Sequence, residues 1–159
     1  MQKALFGAGC FWGVQYYFDQ VPGVIKTTVG YSGGHTKNPS YEEVCAHTTG
    51  HAEVVLIEFD QSKLTYETLL KHFFRMHDPT QLNRQGPDVG DSYRSVIFYY
   101  DETQKNSAEK YRDKLMSNYS QQIVTQIIPA EKFYPAEDYH QKFTERTGRG
   151  MCHVSYKAL

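Results

Sequence analysis

The stretch that most limits how this chain can fold is His51-Ala52-Glu53-Val54-Val55-Leu56-Ile57-Glu58-Phe59. In an extended chain Ala52, Val54 and Leu56 point one way, and Val55, Ile57 and Phe59 the other. A strand that is apolar on both faces belongs near the middle of a sheet, covered on both sides. Glu53 interrupts it on the face of Val55, Ile57 and Phe59. Its carboxyl therefore sits either at an exposed strand end or in the interior with its charge suppressed.

A second stretch, Phe6-Gly7-Ala8-Gly9-Cys10-Phe11-Trp12-Gly13, holds the only Trp and one of three Cys. Small residues let the chain turn after a short apolar run, and Phe11, Val14, Tyr17 and Phe18 then repeat at helical spacing. This places Cys10 where a strand ends and a helix begins. Helix N-termini carry partial positive charge and unpaired N–H groups, which favour a thiolate. A buried structural cysteine among core aromatics fits the same local pattern.

The remaining pattern reads as strands at 4–7, 24–31, 51–59, 94–100 and 123–128. Helices are expected at 10–20, 66–77 and from the Asp101/Gln104 cap to about 119. Ser40 and Glu43 form a capping box for a short helix carrying Tyr41 and Cys45 one turn apart. Residues 80–91 read as a long polar loop, a kind often functional. The order strand, helix, strand, strand, helix, strand over residues 4–100 indicates an α+β fold. It is expected to be a ferredoxin-like split βαβ sandwich with a C-terminal extension, in a single domain over 1–159.

Composition narrows the function. Net charge is −1, from 17 basic and 18 acidic residues, without a basic run. No nucleic-acid or membrane partner is expected. The apolar run at 54–57 is far too short to cross a bilayer. The N-terminus passes directly into strand-like sequence, so a cytoplasmic location is expected. An odd count of three Cys in 159 residues argues against a disulfide framework and for free, reactive thiols.

Several thiol chemistries can be tested by spacing. A C-x-x-C redox pair would need Cys at 13, where Gly13 stands, and a cysteine phosphatase loop would need Arg at 16, where Tyr16 stands. A hydrolase with a His-activated Cys10 stays open, since seven His are present. Cys45, His47 and His51 make a loose metal pattern without a fourth ligand of matching spacing, and no metal is expected.

More specific is a set of segments in order. They are Gly9-Cys10-Phe11-Trp12-Gly13, Gly30-Tyr31-Ser32-Gly33-Gly34, Pro39-Ser40-Tyr41-Glu42-Glu43-Val44-Cys45 and Thr49-Gly50-His51-Ala52-Glu53-Val54-Val55. Asp78-Pro79-Thr80-Gln81-Leu82-Asn83-Arg84-Gln85-Gly86, Asp88-Val89-Gly90, Tyr93-Arg94-Ser95 and Phe133-Tyr134-Pro135-Ala136-Glu137-Asp138-Tyr139-His140-Gln141 follow. Together they resemble the A-type methionine sulfoxide reductases, the peptide-methionine (S)-S-oxide reductases, over nearly the whole chain.

The resemblance implies a role for each matching residue. Cys10 is the nucleophile toward the sulfoxide sulfur, and Phe11 and Trp12 hold the substrate's S-methyl group. Glu53 is the acid that protonates the sulfoxide oxygen, which requires a carboxyl kept protonated near neutral pH. Tyr41 and Tyr93 donate hydroxyls to that oxygen, and Asp88 contacts the substrate's backbone amide. Cys10 becomes a sulfenic acid and then a disulfide with a second thiol. Cys152 is the candidate for that thiol and Cys45 its rival, the latter read as buried and inert in mid-helix. The resemblance implies no prosthetic cofactor, with thioredoxin or a dithiol as external reductant. Sulfoxide-containing proteins and peptides are the implied substrates of a monomer. Two departures stand out: Asp91-Ser92 replaces the usual Thr-Gln, and Arg146-Thr147-Gly148-Arg149-Gly150-Met151 replaces the usual lead-in to the C-terminal cysteine. A catalytically silent sulfoxide-binding module is the alternative from another class.

Overall fold

The computed structural model describes residues 2–150 and 156. Strand β1 (Gln2–Ala8) leads through Gly9, at φ +98°, into helix α1 (Phe11–Asp19), with Cys10 at the N-cap. Only a residue without a Cβ adopts that turn cheaply. Next come β2 (Val24–Ser32), α2 (Tyr41–Cys45), β3 (Ala52–Phe59) and α3 (Tyr66–Met76). The Ser40/Glu43 capping box is present: the Glu43 N–H donates to Ser40 Oγ at 3.2 Å, and the Ser40 N–H to Glu43 Oε1 at 2.9 Å.

The long loop expected at 80–91 is partly ordered as a small hairpin of β4 (Arg84–Gln85) and β5 (Asp88–Val89). Gly86 and Pro87 supply its turn, so two polar pairs suffice where no apolar alternation marks a strand. A 3-10 turn at Asp91–Tyr93, β6 (Ser95–Tyr99) and α4 (Glu102–Leu115) follow, the last capped by Asp101 as its sequence indicates. Strand β7 begins at Gln126 (Gln126–Pro129), shorter than its apolar run. Strand β8 (Tyr134–Pro135) and helix α5 (Phe143–Thr147) complete the order.

Six strands form one sheet in the order β7-β6-β1-β3-β2-β8, and only β6 and β7 run parallel. β3 is therefore internal, as its two apolar faces require. Its Glu53, Val55, Ile57 and Phe59 face is at most 1% exposed. That face packs under α1 and α3 with Phe6, Phe18, Leu70 and Phe73. The opposite face is dry only at its beginning, where Ala52 and Val54 meet Val96 and Phe98; Leu56 and Glu58 are half-buried. The C-terminal extension is part of the sheet rather than an appendage. β8 pairs with β2, and Tyr134 O would lie 2.3 Å from any Cβ added to Gly30, so only glycine lets the two strands close.

Two side-chain networks tie later chain to α1. Lys142 Nζ donates to both carboxylate oxygens of Asp19 at 2.7 Å, and its backbone N–H donates to Gln15 Oε1 at 2.8 Å. Tyr17 Oη lies 2.6 Å from His72 Nδ1, and Tyr156 packs edge-on against the Tyr17 ring at 5.2 Å. Burial pushes the His72 imidazole down to about 4, so it is neutral at pH 7.

Candidate active site

Cys10 ends the turn between β1 and α1 and is 8% exposed. The next residue's N–H, that of Phe11, donates to Glu53 Oε1 at 3.1 Å. A carboxyl of the central strand thus satisfies one of the open donors of the α1 N-terminus, directly beside the cysteine. Glu53 is 1% exposed, which selects the interior option for this side chain. An uncompensated anion at that depth would be costly.

Tyr41 and Tyr93 both lie within electrostatic reach of the same carboxyl. Burial raises both phenols above their ordinary range, and proximity to Glu53 raises them further. Both remain protonated hydroxyl donors at any physiological pH. Tyr93 also lies within electrostatic reach of Asp88 and Cys10. Asp88 stands on β5, and its Oδ2 is buried without a hydrogen-bond partner among the described residues.

Cys45 is not in mid-helix. It is the last residue of α2 and only half-buried, with the side chains of Tyr41 and Tyr93 near enough to act on its thiol. The expectation of a thiol buried in mid-helix is corrected on this point: a five-residue helix ends before it can bury its last turn. Burial still raises the Cys45 thiol above its ordinary range, with the two tyrosine hydroxyls pulling the other way. Cys152 lies outside the described residues.

Aromatic rings form the other wall. Phe11 is buried, with Tyr31 at 5.7 Å and Tyr41 at 6.3 Å. Trp12 is half-buried, stacked on Phe143 at 4.0 Å and on Tyr41 at 6.3 Å. Two side chains that the sequence reading left without a role belong to this wall. The Trp12 Nε1–H donates to His140 Nδ1 at 2.9 Å, and His140 is 1% exposed. Glu137 accepts from the Tyr31 hydroxyl at 3.0 Å and from the Tyr41 N–H at 3.1 Å. Burial opposes its ionisation, but the hydrogen bonds it accepts hold Glu137 below the ordinary carboxyl range. The Phe133-to-Gln141 segment signalled both residues, but only folding shows which site side chains they touch.

Asp91, one of the departures from the family pattern, has a local partner, since His47 Nδ1 lies 3.3 Å from its Oδ1. His51, of the loose metal pattern, is taken up inside the fold. Its Nδ1 accepts from the Gly34 N–H at 2.9 Å, and its Nε2 lies 2.8 Å from Thr36 O. Among the described residues no group of three His, Cys, Asp or Glu is placed to hold a metal ion.

A cysteine at a helix N-terminus, an interior carboxyl bonded to the next residue's N–H and two protonated tyrosines bring a thiol and proton-donating groups together, a set that can serve thiol chemistry. The comparisons agree. The peptide methionine sulfoxide reductase family model matches residues 2–159. A peptide methionine sulfoxide reductase MsrA of Acinetobacter baumannii is 54% identical over 156 residues, covering 98% of this chain and 90% of that one. One from Geobacter sulfurreducens is 51% identical, covering 96% and 95%. Among solved structures, reduced Mxr1 from Saccharomyces cerevisiae superposes with a TM-score of 0.93 at 29% identity, covering 99% of this chain and 92% of that one. Methionine sulfoxide reductase A of Corynebacterium diphtheriae gives 0.85 at 33%, covering 97% and 82%. The chain belongs to the peptide methionine sulfoxide reductase family, in its A-type branch. Its activity is the thiol-dependent reduction of methionine sulfoxide to methionine.

Proposed function

We propose that Cys10 attacks the sulfoxide sulfur while Glu53 delivers a proton to the departing oxygen and the hydroxyls of Tyr41 and Tyr93 stabilise it. The carrying observation is the 3.1 Å bond from the Phe11 N–H to Glu53, which ties the acid to the residue after the nucleophile. Phe11 and Trp12 hold the S-methyl group, and Asp88 takes the substrate's backbone N–H. The oxygen moves from the substrate to sulfur, giving methionine and a Cys10 sulfenic acid. A second thiol then displaces it as water, leaving a disulfide.

Cys152 is the second thiol in this reading. Gly150, two residues earlier, packs against Trp12 and Phe143, and Tyr156, four residues later, packs on Tyr17. Both contacts lie on or beside α1, whose N-cap is Cys10. Thioredoxin or a small dithiol reduces the disulfide and completes the cycle. A structure of the yeast relative in complex with Trx2 is among the similar folds. The order β6-β1-β3-β2, with α1 and α3 on one face, supports a ferredoxin-like split βαβ core. We read the chain as one catalytic domain over 1–159, acting as a cytoplasmic monomer in repair of oxidised proteins. No helix among the described residues is long and apolar enough to cross a membrane.

Incubating racemic N-acetyl-methionine sulfoxide with the reduced protein and dithiothreitol, followed by chiral chromatography, tests the assignment. Only the S epimer should disappear. Persistence of both epimers with folded, reduced protein would leave a silent sulfoxide-binding module.

The choice of second thiol has its own test. Cys152→Ser should still release one methionine per protein, then stop turning over with thioredoxin as reductant. Cys45→Ser should keep turning over under the same conditions. The reverse pattern would transfer the role to Cys45, which already lies near Tyr41 and Tyr93.

A further inference from the structure

Trp12 is held by two kinds of contact with different consequences. Stacking on Phe143 and Tyr41 fixes the plane of the indole. Stacked rings tolerate sliding and in-plane rotation, so this leaves the edge of the indole undetermined. Among the described residues, the one directional restraint on the indole is the 2.9 Å bond from Trp12 Nε1–H to His140 Nδ1. His140 is held in turn by rings on several sides, with Tyr139 at 4.1 Å, Tyr41 at 4.3 Å and Phe11 at 5.3 Å.

The bond also dictates a tautomer. An Nδ1 that accepts must be unprotonated, so the proton of the neutral ring sits on Nε2. That Nε2 is buried and has no hydrogen-bond partner among the described residues. Rings that leave a buried N–H unsatisfied are uncommon and call for a reason. Here the reason is the acceptor presented on the other side. Burial lowers the imidazole below its ordinary range, against a weaker opposing pull from Glu137, which keeps the accepting form.

We infer that His140 is a positioning residue for substrate binding: its Nδ1 sets the in-plane orientation of Trp12 and so the shape of the wall that receives the S-methyl group. The inference rests on the proposed role of Trp12 as that wall. Apolar contact with a methyl group is made equally in the ground and transition states. Loss of orientation therefore weakens binding more than it slows chemistry.

Trp12 is the only tryptophan, so its emission reports on the bond directly. His140→Phe keeps a ring and removes the acceptor. It should shift Trp12 emission and raise KM for N-acetyl-methionine-S-sulfoxide about three- to tenfold, with kcat within about threefold. His140→Asn places an amide oxygen near the Nδ1 position and should restore both readings. His140→Gln places it near Nε2 and should not. If His140→Phe does not fold, the Asn and Gln pair carries the comparison alone. Unchanged emission and KM in His140→Phe, or equal behaviour of Asn and Gln, would overturn the inference. A Trp12→Phe variant with unchanged KM would instead remove the wall reading on which it rests.

Discussion

Cys10→Ser will lose sulfoxide reduction by more than about 10³-fold, down to the background of dithiothreitol alone. A hydroxyl stays protonated where a thiol at a helix N-terminus ionises, and it has no sulfur on which to accept the substrate's oxygen. The substitution removes little volume from a residue that is 8% exposed. Far-UV circular dichroism and the melting midpoint should therefore stay close to those of the unsubstituted protein. Quantifying methionine released from N-acetyl-methionine-S-sulfoxide checks the result. Full activity in the serine variant would exclude Cys10 as nucleophile and reopen the choice among the remaining thiols.

Glu53→Gln will reduce kcat by about 10²- to 10⁴-fold, the range expected when a positioned general acid is removed. The amide keeps an oxygen in place of Oε1, so the Phe11 N–H retains its acceptor and α1 its N-terminal anchor. Only the acidic proton is lost. Cys10 should still be alkylated by iodoacetamide, which separates loss of the acid from loss of the nucleophile. Glu53→Ala makes a useful contrast. It leaves the buried Phe11 N–H without its acceptor, at a cost of about 1–3 kcal/mol in stability. A Gln variant with unreduced kcat would reduce Glu53 to a structural cap of α1.

These two residues also divide the information between sequence and fold. The sequence placed Glu53 in an apolar strand and Cys10 at a strand-to-helix turn, because both follow from periods of two and 3.6 residues read locally. Those periods do not show that the two meet, since 43 positions separate them and only the antiparallel pairing of β1 with β3 brings them together. The same holds for Cys45. Its helical spacing from Tyr41 was legible, whereas the short reach of α2 and the approach of Tyr93 from another segment were not. The hairpin of β4 and β5 was missed because two-residue strands have no period to detect.

By itself the sequence determined the order of the main strands and helices over residues 4–100, the α+β class, the central position of the 51–59 strand and, through its ordered motifs, the family. Those depend on local backbone preference, on hydrophobic alternation and on residue identity, each of which is written along the chain. Only the tertiary structure decided that Glu53 anchors the helix of Cys10, that Cys45 lies near both tyrosines and that His140 holds Trp12. The last of these joins positions 128 residues apart. Such contacts arise from the register of strands and the packing of helices on one sheet face, and neither is encoded in any single window of sequence.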